Sequence, residues 1–227
     1  MKRYLIARMN VDAAHDGEFN QWYDGPHIQG ASGIPGFATG HRRFKALSVE
    51  GQHWTYVPDP EYTAVYEIGD DSDVEAAINS DEYEAWSGDF LAQWRDRTHD
   101  EVSILVEQIF GVEGPIDYQQ VLIAQMDVVP EREDEFNHWY NEIHIPGAGG
   151  IPGFGTDHRR FRSFDLQGKY WDYQGKPRYT AMYELHPDTD IQAAINTDEY
   201  KAWSGDFLAQ WREGTLGEVS TMCTRIL

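Results

Sequence analysis

A single cysteine in 227 residues rules out an intramolecular disulfide, and no apolar run approaches the roughly 18 residues that a membrane-crossing helix needs. Basic residues are scarce. Eighteen Lys and Arg stand against 39 Asp and Glu, a formal net charge of −21. That field repels polyphosphates and anionic bilayers, so neither nucleic acid nor a membrane is expected as a partner. The sequence also lacks His-Glu-x-x-His, a paired Cys-x-x-Cys, a Walker glycine loop and a Gly-x-Ser-x-Gly elbow. Zinc peptidase, nucleotide hydrolase and the usual serine hydrolase arrangements therefore lack their signatures. The opening MKRYLIARMNVD turns to charge too early for a signal peptide, and a cytoplasmic location is expected.

Apolar residues make up 41% of the chain, with eight Trp, thirteen Tyr and ten Phe, which is ample for a core. The most informative stretch occurs twice. EFNQWYDGPHIQGASGIPGFATGHRRF runs from Glu18 to Phe44, and EFNHWYNEIHIPGAGGIPGFGTDHRRF from Glu135 to Phe161, a shift of 117 without a gap. About half of all positions paired by this shift are identical, and the eight Trp form four pairs. Cys223 pairs with Val106, so its thiol reads as packing.

Each copy opens on a strand, Tyr4 to Val11 or Val121 to Val128, followed by a short helix. There Phe19, Tyr23 and His27 recur at helical spacing, which puts the histidine on an aromatic side. Gly25-Pro26 predicts a break just before His27, whereas Glu142-Ile143 lets the helix run on to His144. After the Ile-Pro-Gly turn, alternation along a strand directs His41 and Arg43 to one face and Arg42 to the other. Gly51 to Pro60 reads as a loop or irregular hairpin, Tyr62 to Ile68 as a strand, and Ser80 or Asp81 as the cap of an amphipathic helix. A last strand spans Val102 to Phe110. The order is β-α-β-β-α-β in each copy, with repeats at 1–110 and 118–227 and a linker at 111–117.

The pattern Phe-x-x-Trp-Tyr-x-x-x-His-Ile-Pro, followed by Pro-Gly-Phe and a basic strand, resembles the dimeric α+β barrel superfamily, most closely its EthD-like branch. The resemblance implies an α+β fold: two ferredoxin-like repeats paired sheet to sheet as an intramolecular dimeric barrel, with a homodimer of the fused pseudo-dimer as a further pairing open to it. It also implies small-molecule chemistry, since such barrels include cofactor-free isomerases, polyketide cyclases and oxygenases, besides haem-binding branches. His27 and His144 match the helix-end histidine, and an imidazole suits proton transfer. His144 is favoured because its copy keeps His-Ile-Pro.

The expected site therefore has His144 and His27 as proton carriers and His158 and His41 as their acid/base partners. Arg160 and Arg43, with Arg159 and Arg42, would clamp a substrate carboxylate. Tyr140, Tyr23, Trp139 and Trp22 would line an aromatic pocket. Neither cofactor nor metal is expected; a set such as His27, His41 and Glu18 could hold iron, but the spacing does not require it. The leading expectation is an isomerase or lyase acting on a small unsaturated acid or lactone, with a cofactor-free oxygenase or cyclase on a phenolic substrate, or a non-catalytic binding protein, as alternatives.

Overall fold

In the computed structural model, residues 2–52 and 54–227 are described. Strand β1 (Arg3–Val11) leads through a 3-10 turn into α1 (Asp16–Trp22), a π-helical turn (Tyr23–His27) and α2 (Ile28–Ser32). Then come β2 (Ala38–Leu47), a small hairpin of β3 (Val49–Glu50) and β4 (Thr55–Tyr56), and β5 (Tyr62–Ile68). Helices α3 (Val74–Ile78) and α4 (Asp81–Trp94) precede the long β6 (Thr98–Gly111). The second half repeats the order: β7 (Gln120–Val128), α5 (Glu133–Trp139), a π turn (Tyr140–His144), α6 (Ile145–Ala148), β8 (Phe154–Ser163), the hairpin β9 (Leu166–Gln167) and β10 (Asp172–Tyr173), β11 (Tyr179–Leu185), α7 (Ile191–Ala194), α8 (Asp198–Trp211) and β12 (Thr215–Arg225).

Local chemistry accounts for these boundaries. Ser80 and Thr197 cap α4 and α8 by accepting from the N–H groups of Tyr83 and Tyr200, and Asp73 and Asp190 do the same for α3 and α7. The break expected at Gly25-Pro26 does not occur, because helix continues through His27 in both halves. A π turn spaces its hydrogen bonds one residue wider than an α-helix, so the missing Pro26 N–H and the bulk of its ring are absorbed at an existing irregularity.

Eight strands close into one antiparallel barrel in the order β1-β5-β2-β12-β7-β11-β8-β6. Each half contributes four neighbouring strands. The halves join edge to edge, with β6 paired to β8 and β12 to β2, so the barrel itself closes without an open edge. Gly111 ends β6 at φ 105°, and a Cβ there would lie 2.2 Å from the carbonyl oxygen of His158. Only glycine lets the chain turn away so close to β8.

Alternation along the strands divides the core. Tyr4, Ile6, Phe44, Val121, Ile123 and Phe161 fill the barrel, while Leu5, Ala7 and Met9, or Leu122, Ala124 and Met126, pack outward against the helices. One end of the interior is polar. There the buried Arg8 donates to Gln125 Oε1 (2.6 Å), Thr221 Oγ1 (2.7 Å) and Thr63 Oγ1 (3.3 Å), and forms an ion pair with none of the described carboxylates. No helix among the described residues is long and apolar enough to cross a membrane.

Candidate functional site

Each π turn carries its histidine into the space between sheet and helices, where two indoles clamp it. The His27 ring stacks on Trp22 and Trp86 with centroids 4.5 Å away on both sides. His144 lies 4.8 Å from Trp139 and 4.4 Å from Trp203, the latter inclined by only 9°. Trp86 and Trp203 also donate Nε1–H to the carbonyls of His27 and His144 at 2.8 Å, so one residue fixes both the turn and the ring. With both faces covered, only the imidazole edges remain for chemistry. Burial, reinforced by the nearby Arg43 or Arg160, holds both histidines down at a pKa of about 3, so both are neutral bases at physiological pH.

His144 opens onto a small half-open cavity of about 30 Å³, and His27 onto one of about 40 Å³. The walls are mostly aromatic and aliphatic. Besides His144, the polar residues lining this cavity include Tyr140, Tyr183, Ser204, Ser220 and Glu218. Tyr183 donates to Tyr140 at 2.6 Å, which leaves the Tyr140 proton free for a ligand; Tyr66 and Tyr23 make the same bond at 2.8 Å. Burial pushes the Tyr140 and Tyr23 hydroxyls up to about 12, so they remain donors. Burial likewise raises Glu101 and Glu218, the carboxyls of the two cavities.

The remaining candidates lie elsewhere. His158 lines a separate surface cavity with Phe110, Ile145 and Thr156; its Nδ1 accepts from the Glu184 N–H at 3.2 Å. The Tyr183 ring stands within 5.4 Å of His158 and 6.1 Å of His144, between the two. His41 does not line the His27 cavity either. His158 is thus not assembled as a partner to His144, because the Tyr183 ring on the neighbouring strand fills the gap, and His41 does not share the cavity of His27. None of the four arginines lines either cavity. Arg159 grips Asp157 and the carbonyls of Gly114 and Pro115, tying down the linker, and Arg42 faces Asp117. Arg43 and Arg160 face the helices as alternation predicts, but they sit behind Tyr23 and Tyr140, 4.3 and 4.5 Å from the ring centres. Trp22 and Trp139 back the histidines rather than the cavity. Among the described residues no group of three or more His, Cys, Asp or Glu is placed to hold a metal ion.

The sequence marks Trp54, Tyr56 and their partners Trp171 and Tyr173 as candidate pocket aromatics, but not the half whose cavity they wall. Trp54 and Tyr56 of the β3–β4 hairpin line the cavity of His144, and Trp171 and Tyr173 of β9–β10 line that of His27. Hydroxyl pairs Tyr56–Tyr200 and Tyr83–Tyr173 pin the hairpins down, aided by Asn196 Oδ1 accepting from Gln52 N and Asn79 Oδ1 from Lys169 N, both at 2.6 Å. Equal spacing of the Trp-x-Tyr pairs showed that the hairpins match, but not where they dock. Tyr56→Phe and Tyr200→Phe should each cost about 1–3 kcal/mol by stranding a buried hydroxyl. The double variant should cost less than their sum, read by urea denaturation, and strict additivity would deny the contact.

The fold and cavities define an α+β barrel with one aromatic slot per half, each closed by the other half. No family model matches the chain, and no curated protein matches its sequence. Solved structures of similar fold include a candidate monooxygenase from Fusobacterium nucleatum, 11% identical with a TM-score of 0.56, the match covering 100% of this chain and 93% of that one. An anthrone oxidase-like protein is 13% identical (TM-score 0.57; 100% and 91%), and a candidate chlorite dismutase 11% identical (0.53; 100% and 95%). At these identities the likeness establishes the shared α+β barrel fold alone.

Proposed function

We propose that this chain is an enzyme that enolises a flat, neutral aromatic ketone, or its phenolic tautomer, and passes the resulting anion to dioxygen. One observation carries the reading: the neutral His144 imidazole and the Tyr140 hydroxyl, whose own proton the Tyr183 bond leaves free, line one apolar cavity with no Lys or Arg among its described lining residues. The Tyr140 hydroxyl donates to the substrate oxygen, and His144 removes a proton from the ring CH₂ conjugated with that carbonyl, which in an anthrone lies across the central ring. Protonating a buried imidazole is unfavourable alone, but the enolate formed beside it supplies the counter-charge. The enolate carbon then bonds to dioxygen to give a hydroperoxide. Loss of water from it leaves a carbonyl, so that CH₂ and O₂ become C=O and H₂O. The anthrone oxidase-like protein of similar fold makes an anthrone the natural first substrate to try.

An isomerase or lyase shares the proton transfer, but a small acid would need a cation in the cavity to receive its carboxylate, which ranks the neutral ketone first. The same reading includes two ferredoxin-like repeats, 1–110 and 118–227, fused through 111–117 as a pseudo-dimer; the matching strand orders of the halves support it.

The test is oxygen uptake with anthrone, with quinone formation followed by absorbance. His27→Gln combined with His144→Gln should lower turnover by about 10² or more. A folded double variant at near wild-type rate rules out the histidine base. Solvent-deuterium exchange into a lactone or unsaturated acid, with no oxygen uptake on anthrone, would favour the isomerase instead.

A further inference from the structure

The two slots are built alike yet differ in charge behind the tyrosine. In the first half Arg43 is ion-paired to Asp24 Oδ1 at 2.5 Å and bonded to Asn20 Oδ1 at 2.6 Å, so its charge is neutralised where it lies. In the second half Asn141 replaces Asp24. Arg160 is 0% exposed, donates Nη1–H to Asn141 Oδ1 at 3.0 Å, and leaves Nη2 without a partner. The oxygen matching that of Asn20, Asn137 Oδ1, is unpaired as well. The groups facing this guanidinium are the rings of Phe136, Tyr140 and Tyr179, with centroids at 5.0, 4.5 and 4.3 Å. Glu133, beyond Tyr179, is engaged by the Tyr179 hydroxyl and Arg178.

A guanidinium over a phenol ring polarises its O–H bond, and the polarisation is stronger when no carboxylate cancels the charge. We propose that Arg160 is a positioning residue that acts through Tyr140 to stabilise an anionic ligand oxygen in the His144 cavity, and that Asp24 cancels this effect in the His27 cavity. The two slots then hold the same ligand in different ionisation states, and the second half is the one equipped for anionic intermediates. This rests on the enolate reading above, but its test does not require turnover.

The probe is 4-nitrophenol, whose phenolate is visible by absorbance, titrated with pH in the presence of excess protein. Wild type should show two bound populations, one ionising about one unit below the other. Asn141→Asp, which restores the counter-charge without removing the arginine, should move the lower step up to meet the higher one, and Asp24→Asn should move the higher step down. Arg160→Met should repeat the effect of Asn141→Asp, and Arg160→Lys should keep part of the split. Coincident steps in wild type, no bound phenolate near neutral pH, or a split that Asn141→Asp leaves unchanged would each overturn the proposal. A split titration in a protein that consumes no oxygen with any anthrone would leave the charge asymmetry standing and reject the oxygenase reading alone.

Discussion

Replacing Gln125 with Arg should destabilise the protein by about 4 kcal/mol or more, a large part of the roughly 5–15 kcal/mol that holds a domain folded. Arg8 and Gln125 occupy matching places in the two halves, 117 residues apart, and meet inside the barrel at 2.6 Å. Gln125 is amphoteric. Its oxygen accepts from Arg8 while its nitrogen donates to Thr180 Oγ1 at 3.1 Å. A second guanidinium would offer only donors, facing another cation with no described carboxylate ion-paired to either. Arg8 is already held by burial at a pKa of about 10, a sign of how little solvation it retains. The double exchange Arg8→Gln with Gln125→Arg restores one charge and one amide and should recover most of the loss in urea denaturation. If Gln125→Arg alone shifts the midpoint negligibly, the two positions do not meet. The same arithmetic explains why the halves diverge here, since two identical copies would set Arg against Arg.

Acid should unfold the protein through its histidines. His27 and His144 are held at about 3 and His158 at about 4, in each case chiefly by burial, against about 6.5 for an unfolded chain. Their folded values are depressed, so the unfolded chain takes up protons first. The stability contributed by the neutral rings is fully present above about pH 6.5 and is lost as pH falls toward 4 and 3. Each such histidine adds a slope of about 1.4 kcal/mol per pH unit in that window, a few kcal/mol for each ring. Glu101 and Glu218, whose carboxyls are raised, act in the opposite sense, but Glu101 is only half-buried and Glu218 is exposed. Urea midpoints between pH 7 and 4 should therefore fall steeply, and His144→Phe should flatten the slope by about one proton. An unchanged slope in that variant would mean that the His144 ring is solvated.

Much of the site's scaffold was legible in the sequence, for identifiable reasons. Short runs rich in apolar strand formers located β1 and β5, Ser80 announced the start of α4, and the spacing of Phe19, Tyr23 and His27 put the histidine among aromatics. The continuous helix through Pro26 was not legible, because a π turn has no pattern that distinguishes it from a helix end. Arg43 and Arg160 were correctly assigned a strand face, but that face is covered by Tyr23 and Tyr140 before any cavity is reached.

By itself the sequence determined the order of the main strands and helices, the recurrence of one motif at a shift of 117, and the chemical types near His27 and His144. These follow from periodicity and local hydrogen bonding, which act within a few residues. Only the tertiary structure decided that β6 meets β8 and β12 meets β2, that each hairpin walls the other half's cavity, and that Arg160 lacks the partner Arg43 has. Those outcomes depend on which surfaces meet across separations such as the 144 residues between Tyr56 and Tyr200. Periodicity marks a face as apolar without naming what covers it.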